Sequence, residues 1–449
     1  MSTKKANMKI IFEKFKTGNP FFDSFLLGQL LSQIGENTSK VALPWLAFSM
    51  ASPHHAPIFL SFLFVSLSLP PLLFGWIYGE ILDRAVGRRL GLLFVADACR
   101  GTIFLAIPVL FWAGVLSFPL LVGLLFLATV FSGFFGPAMV SAIPEFDESA
   151  GPLVKRNALV NMTGHVGLLA GPILGGALSS FFPPAFVVLV TAVTFLLSAG
   201  FIARSLGPFF FSRKFFRGIF DMGRELMTSV FSKSSVSLAC RNTFCSLSRQ
   251  SHTSLFAGLS LLVGGSLGLV VSGIPVYVRE HLSGGPFLLG IVMTAAGLGM
   301  LLASGFLGRT NATFGRPAEH HDLTLAEKVL SGSLFLSGLL LVPTGIINNI
   351  GLILLLTFVA AGLADVYNPI LQTEIQQLVG SDRVGRTMTS LGSFFLVGFV
   401  GSTLAFPFVT EKLGLYWVFA LAGILRLVAG LFPLAVGAIR QHTQELSLQ

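Results

Sequence analysis

Seven side chains stand out in a chain that is only 11% charged, because they interrupt long apolar runs: Glu36, Lys40, Asp97, Arg100, His165, Asp365 and Arg426. A charge in hydrocarbon costs several kcal/mol unless it is paired or faces water, so each is a candidate for binding a solute or moving an ion. Glu36 and Lys40 lie one helical turn apart, in the order that favours an ion pair. With Gln29 and Gln33 they recur every three or four residues, as on a cavity-lining helix face. An acid whose cation partner can be drawn away takes up and releases a proton, which is the chemistry of proton coupling. Asp97 and Arg100, three apart, read as a structural clamp. Asp365 has no basic residue within its own run, and Asn368, Gln372 and Glu374 follow it. Asn161 and His165 extend another polar face; the imidazole titrates in a useful range, although a hydrogen-bonded packing histidine is the commoner case. Arg426 requires an acidic partner that the sequence does not identify.

The elements that position these groups are membrane spans. Hydrophobic residues make up 53% of 449 positions and the mean hydropathy is +0.82, more than a soluble core requires. A hydrocarbon layer about 30 Å thick takes roughly 20 apolar residues per helix. Twelve runs meet that need: 22–50, 57–79, 90–112, 116–138, 157–180, 184–204, 254–278, 286–308, 326–347, 350–376, 387–410 and 415–438. They are continuous and lack the alternation of barrel strands, so the expected class is an all-α membrane protein. Basic residues concentrate in every second loop, which predicts both termini on the cytoplasmic side and a plasma (inner) membrane location. The net charge of +9 then reflects topology and anionic inner-leaflet lipid rather than nucleic acid. No cleavable leader is expected, and three cysteines without secreted-type spacing predict no structural disulfide.

The spans divide as six and six. The expected order is a tail at 1–21, a half at 22–204, a linker at 205–253, a second half at 254–438 and a tail at 439–449. In the linker, "GPFFFSRKFFRGIFDMGRELMTSVF" alternates rings with Arg213, Lys214, Arg217 and Arg224, which suits a helix in the headgroup layer or a disordered basic linker. Between spans 2 and 3, "YGEILDRAVGRRLGL" supplies Gly79, Asp83, Arg84, Gly87, Arg88 and Arg89. On span 5, "GLLAGPILGG" supplies Gly167, Gly171, Pro172, Gly175 and Gly176, small residues four apart that allow close helix crossing.

Six plus six helices, the first loop and the second motif together resemble the major facilitator superfamily. The loop is similar to its G-x-x-x-D-R-x-G-R-R gate, with one residue extra between Asp83 and Gly87; the resemblance implies a cytoplasmic latch. The span 5 string is similar to the core that the superfamily associates with antiport, although the longer motif's leading glycine is Ala158 here. "LGQLLSQIGENTSKVALPWLAF", "PVYVREHLSGGPFLLGI" and "LQTEIQQLVGSDRVGRTMTSLGS" resemble the macrolide-efflux and enterobactin-exporter branch. The second half's "GFLGRTNATFGRP" keeps Gly305 and Arg309 but has no acid at the Asp83 position.

The resemblance implies a monomeric secondary transporter that exports hydrophobic or amphipathic small molecules, driven by protons, with no cofactor. Alternatives are a lipid or lysophospholipid translocator and a non-transporting scaffold or receptor on the same fold. Enzymatic signals are absent: "GGSLG" lies inside a span with no strand before it, His54-His55 and His320-His321 lack further metal ligands, and no nucleotide-binding loop is present.

Overall fold

The computed structural model describes residues 17, 19–52, 55–85, 88–146, 152–207, 224, 251–314, 325–378 and 384–448. Fourteen α-helices make up these residues: α1 Pro20–Met50, α2 Ala56–Arg84, α3 Arg89–Trp112, α4 Phe118–Ser132, α5 Phe135–Ala142, α6 Leu153–Phe181, α7 Pro184–Ser205, α8 Ser251–Val276, α9 Pro286–Phe314, α10 Leu325–Leu341, α11 Ile350–Asp365, α12 Tyr367–Leu378, α13 Val384–Lys412 and α14 Leu415–Leu448. Short 3₁₀ turns cover Ile143–Glu145 and Val342–Ile346, and a π-helical turn covers Tyr277–His281.

The chain is all-helical, as expected. Among the described residues, ten stretches are long and apolar enough to cross a membrane. Two more complete the expected twelve: α1, whose polar face lowers its hydropathy, and the apolar Leu415–Leu431 part of α14. Two spans are each continuous, as the sequence suggests, but their hydrogen-bond ladder is interrupted while the backbone stays helical. The fourth is interrupted between α4 and α5 and the tenth between α11 and α12, and both interruptions have one cause. Pro137 and Pro369 have no N–H to give the carbonyl four residues earlier, and their rings crowd it; those carbonyls belong to Gly133 and Asp365, where the helices interrupt.

Local chemistry sets the helix starts. The Asn19 side chain accepts from the N–H groups of Phe21 and Phe22 at 2.9 and 3.0 Å, with Pro20 in the first turn and Asp23 holding both the N–H and the hydroxyl of Thr17. Asn349 caps α11 by accepting from Leu352 N–H at 3.1 Å.

Contacts divide the chain into two units, Met1–Leu46 with Leu73–Val236, and Ala47–Leu72 with Ser237–Gln449. The last turn of α1 and the first half of α2 therefore belong to the second unit. Two contacts fasten them there: the Ser61 hydroxyl donates to the Thr403 carbonyl at 2.8 Å, and the Arg279 guanidinium lies 4.5 Å from the Phe48 ring centre. In the first unit α3 packs on α7, α4 and α5, over a core of Phe22, Phe25, Leu93, Phe146 and Ile202. In the second, α8 packs on α13 and α14, α9 on α11, and α10 on α14. Its core gathers Leu259, Leu334, Tyr367, Ile370 and Leu391.

Candidate functional site

The first unit carries a charge network built from α1, α3, α4, α5 and α7. Arg100 is 2% exposed and Asp97 is fully buried. Arg100 Nη2 lies 3.4 Å from Asp97 Oδ1, and Nη1 lies 3.7 Å from Glu36 Oε2. Nη1 also donates to Ser132 Oγ at 3.0 Å and Nη2 to Ser32 Oγ at 3.1 Å. Asp97 accepts from the hydroxyls of Ser32 at 3.2 Å and Ser198 at 2.5 Å. The Phe195 and Phe135 rings lie 4.0 and 4.8 Å from the guanidinium carbon. Burying this many charges is tolerable because almost every donor and lone pair is used and the cation also meets two π faces.

The network carries an unequal count of charges. Two carboxylates share one cation, so the three charges sum to minus one when both acids are ionised. The two acids differ in access: Asp97 is sealed, whereas the Glu36 side chain is 40% exposed.

Close helix approach makes this geometry possible. A methyl group on Gly35 of α1 would lie 1.8 Å from Thr194 Oγ1 on α7, so a larger residue there requires the Thr194 side chain to move. The α6 string does the same on the other side of α1. Cβ atoms placed on Gly167, Gly171 and Gly175 would lie 2.6, 2.4 and 2.6 Å from Gln33, Asn37 and Thr38 respectively. The Thr38 hydroxyl donates to the Gly171 carbonyl at 3.1 Å. The glycine motif therefore grips the turn of α1 that carries Glu36. Pro172 lies inside α6, and the carbonyl of buried Gly176 accepts from Ser180.

Several expected placements are corrected. Lys40 does not pair with Glu36; it is exposed and donates to Asn37 Oδ1 at 2.9 Å, a nearer acceptor on its own helix, while Glu36 turns to Arg100. The Asp97–Arg100 clamp exists, but at the middle of α3 and with Glu36 joined to it. Gln29 does not line an open cavity: it is 0% exposed, and both amide atoms are buried without a partner. Gln33 is half-buried against Gly167. Asn161 and His165 are both exposed, so His165 is not a packing histidine. Asp365 accepts from the Ser304 hydroxyl at 2.8 Å, and Asn368 and Gln372 are exposed on α12. Arg426 has no carboxylate partner among the described residues; it donates to Ser337 Oγ at 2.7 Å. The serines and rings around Arg100 leave no mark in the sequence near it, because they come from four other helices. Ser32 alone carried a hint, since it falls within the polar stretch of α1.

At the loop, Gly79, Asp83 and Arg84 lie in the last turns of α2, but the side chains of Asp83 and Arg84 lie outside the described residues, as does Gly87. So does the basic-aromatic linker apart from its ends and Arg224. Arg88 is exposed at the start of α3. Arg89 works within its own unit: Nη1 donates to the Ser141 carbonyl at 2.9 Å and lies 3.6 Å from Glu145. Arg156 holds the same segment through the Ile143 and Phe146 carbonyls at 3.2 and 2.8 Å. Replacing Arg89 with alanine is expected to lower stability by about 1–2 kcal/mol, because a charged donor to a helix-end carbonyl is lost. Thermal unfolding of the purified variant, with Arg88→Ala as the exposed control, measures it.

Comparison with known proteins follows this geometry. The family model described as Major Facilitator Superfamily matches residues 25–317 and 256–447. The uncharacterized MFS-type transporter YfiS of Bacillus subtilis (strain 168) is 24% identical over 411 residues, covering 92% of each chain. In fold, the chain is similar to a POT family transporter crystallised with 5-aminolevulinic acid, with a TM-score of 0.64 at 14% identity over 93% of this chain and 96% of that one. It is similar to the same degree to a mutant of the peptide transporter POT, over 93% and 94% of the two chains.

Proposed function

Because this chain belongs to the major facilitator superfamily, and so is a multi-pass membrane transporter rather than an enzyme, we propose that it exports hydrophobic or amphipathic small molecules in exchange for protons. The observation that carries this reading is the unequal sharing of Arg100 by buried Asp97 and half-exposed Glu36. When Glu36 takes a proton, Arg100 belongs to Asp97 alone and the network is neutral. When Glu36 releases it, the extra negative charge must be met by Arg100 or by a cationic or polar group of the solute. Proton and solute thereby compete for one carboxylate, which is the requirement for antiport. The grip of Gly167, Gly171 and Gly175 on the same turn of α1 supports the reading, since any motion of α6 is felt at Glu36. Alternating access within a two-half fold, in a cell's plasma membrane and as a monomer, completes the proposal. Asp365, in the tenth span, is a second acid, and it accepts from the Ser304 hydroxyl.

The test uses inverted membrane vesicles under an imposed pH gradient, loaded with fluorescent dyes or macrolides. The wild-type protein is expected to accumulate solute, and Glu36→Gln to reduce pH-driven accumulation to background while solute exchange without a gradient persists. Full accumulation by the Glu36→Gln variant overturns proton coupling at this site. Movement of labelled phospholipid without movement of any dye reassigns the protein as a lipid translocator.

A further inference from the structure

Arg426 is the charge that proton coupling leaves unused. It lies about 17 Å along α14 from Leu415, a rise of 1.5 Å per residue, and so near mid-depth of a layer about 30 Å thick. It is 4% exposed. Its Nη1 donates to Ser337 Oγ, but Ser337 has already given its own proton to the Ala360 carbonyl at 2.8 Å, so it offers Arg426 a lone pair and no charge. The Arg426 Nε is buried with no partner.

The other two buried arginines show what is missing. Arg100 has two carboxylates, two hydroxyls and two rings; Arg156 also has an Nε without a partner and only neutral acceptors, but two of them, both backbone carbonyls. Arg426 has one neutral oxygen. A guanidinium keeps its proton at any relevant pH and carries five N–H donors. Taken out of water with one neutral partner, it costs several kcal/mol that nothing described around it returns. Water can fill a donor but cannot balance the charge. The described side chains of the seam between α10 and α14 supply no acid near Arg426: there Gly338 lies against Gly423, and Gly430 against Ser331 and Phe335, and the Ser331 hydroxyl is itself buried without a partner.

We propose that Arg426 holds a monovalent anion inside the second unit, seated on the guanidinium N–H groups that Ser337 does not take. The anion is a free inorganic ion of chloride size or the carboxylate of a bound solute; both present one negative charge and lone pairs to a planar donor. The proposal does not depend on proton exchange at Glu36.

The experiment is thermal unfolding of the purified full-length protein at constant ionic strength, with the sodium salt of a bulky sulfonate buffer, which has neither a carboxylate nor the size of chloride, replaced stepwise by sodium chloride or sodium acetate. A ligand that binds only the folded state raises the midpoint in a saturable way. The wild-type protein is expected to show such a rise of a few degrees, R426K a weaker one because it lacks the planar fork, and R426Q none. R426Q removes an unbalanced buried charge, so it is expected to fold and serve as the reference. A response to chloride assigns the site to a free anion, and a response to acetate alone assigns it to a solute carboxylate. Equal midpoints in all three salts overturn the proposal. An equal rise in R426Q also overturns it, because that is a general salt effect on the protein surface.

Discussion

Replacing Arg100 with alanine is expected to cost about 3–5 kcal/mol, the range for removing one partner from a buried ion pair. The loss is large because Asp97 remains fully buried with only the Ser32 and Ser198 hydroxyls, and because Phe135 and Phe195 lose the side chain between them. The double variant Asp97→Ala, Arg100→Ala is expected to recover a substantial part of that stability, since no charge is then left alone. Arg100→Lys is not expected to restore it: a single ammonium cannot reach Ser32, Ser132, Asp97 and Glu36 together. Lys40→Ala is the control, because Lys40 is exposed and contacts only Asn37. Thermal unfolding in detergent ranks the four proteins. An Arg100→Ala protein as stable as the wild type would show that the network does not hold α1, α3 and α7 together.

Gly171→Val is expected to abolish export. Even its first added carbon lies 2.4 Å from Asn37 Cβ and 2.9 Å from the Ile34 carbonyl, and a carbonyl in a helix cannot yield as a flexible side chain can. Overpacking of this kind costs about 1–3 kcal/mol. The functional loss is expected to exceed the stability loss, because the displaced turn of α1 carries Glu36 and its 3.7 Å approach to Arg100. Gly171→Ala is expected to fall between, and Leu174→Val, on the exposed face of the same helix, to be silent. Dye efflux from cells, normalised to the amount of protein in the membrane, gives the order. Efflux by Gly171→Val at the wild-type rate would disconnect the glycine string from transport.

The interruptions at Gly133 and Asp365 illustrate how far local reading reaches. Each proline is visible in the sequence, and the rule that it disturbs the carbonyl four residues back is local chemistry. The long apolar runs on either side nevertheless give no sign of the interruption. Hydropathy is insensitive to the hydrogen-bond ladder, so it counts a span with an interrupted ladder as one.

The sequence by itself determined the class and the short list of charges that interrupt the apolar runs. Those properties follow from composition and from the cost of a charge in hydrocarbon, which act residue by residue. Only the tertiary structure decided the pairing. Glu36 and Lys40 are one turn apart, and local spacing favours their union. The folded chain instead gives Lys40 to Asn37 and brings Arg100 to Glu36 from 64 positions away. A buried guanidinium gains more from two carboxylates, two hydroxyls and two rings than an exposed ammonium gains from one acid in water. The preference belongs to a site assembled from five helices, and no window along the chain contains it.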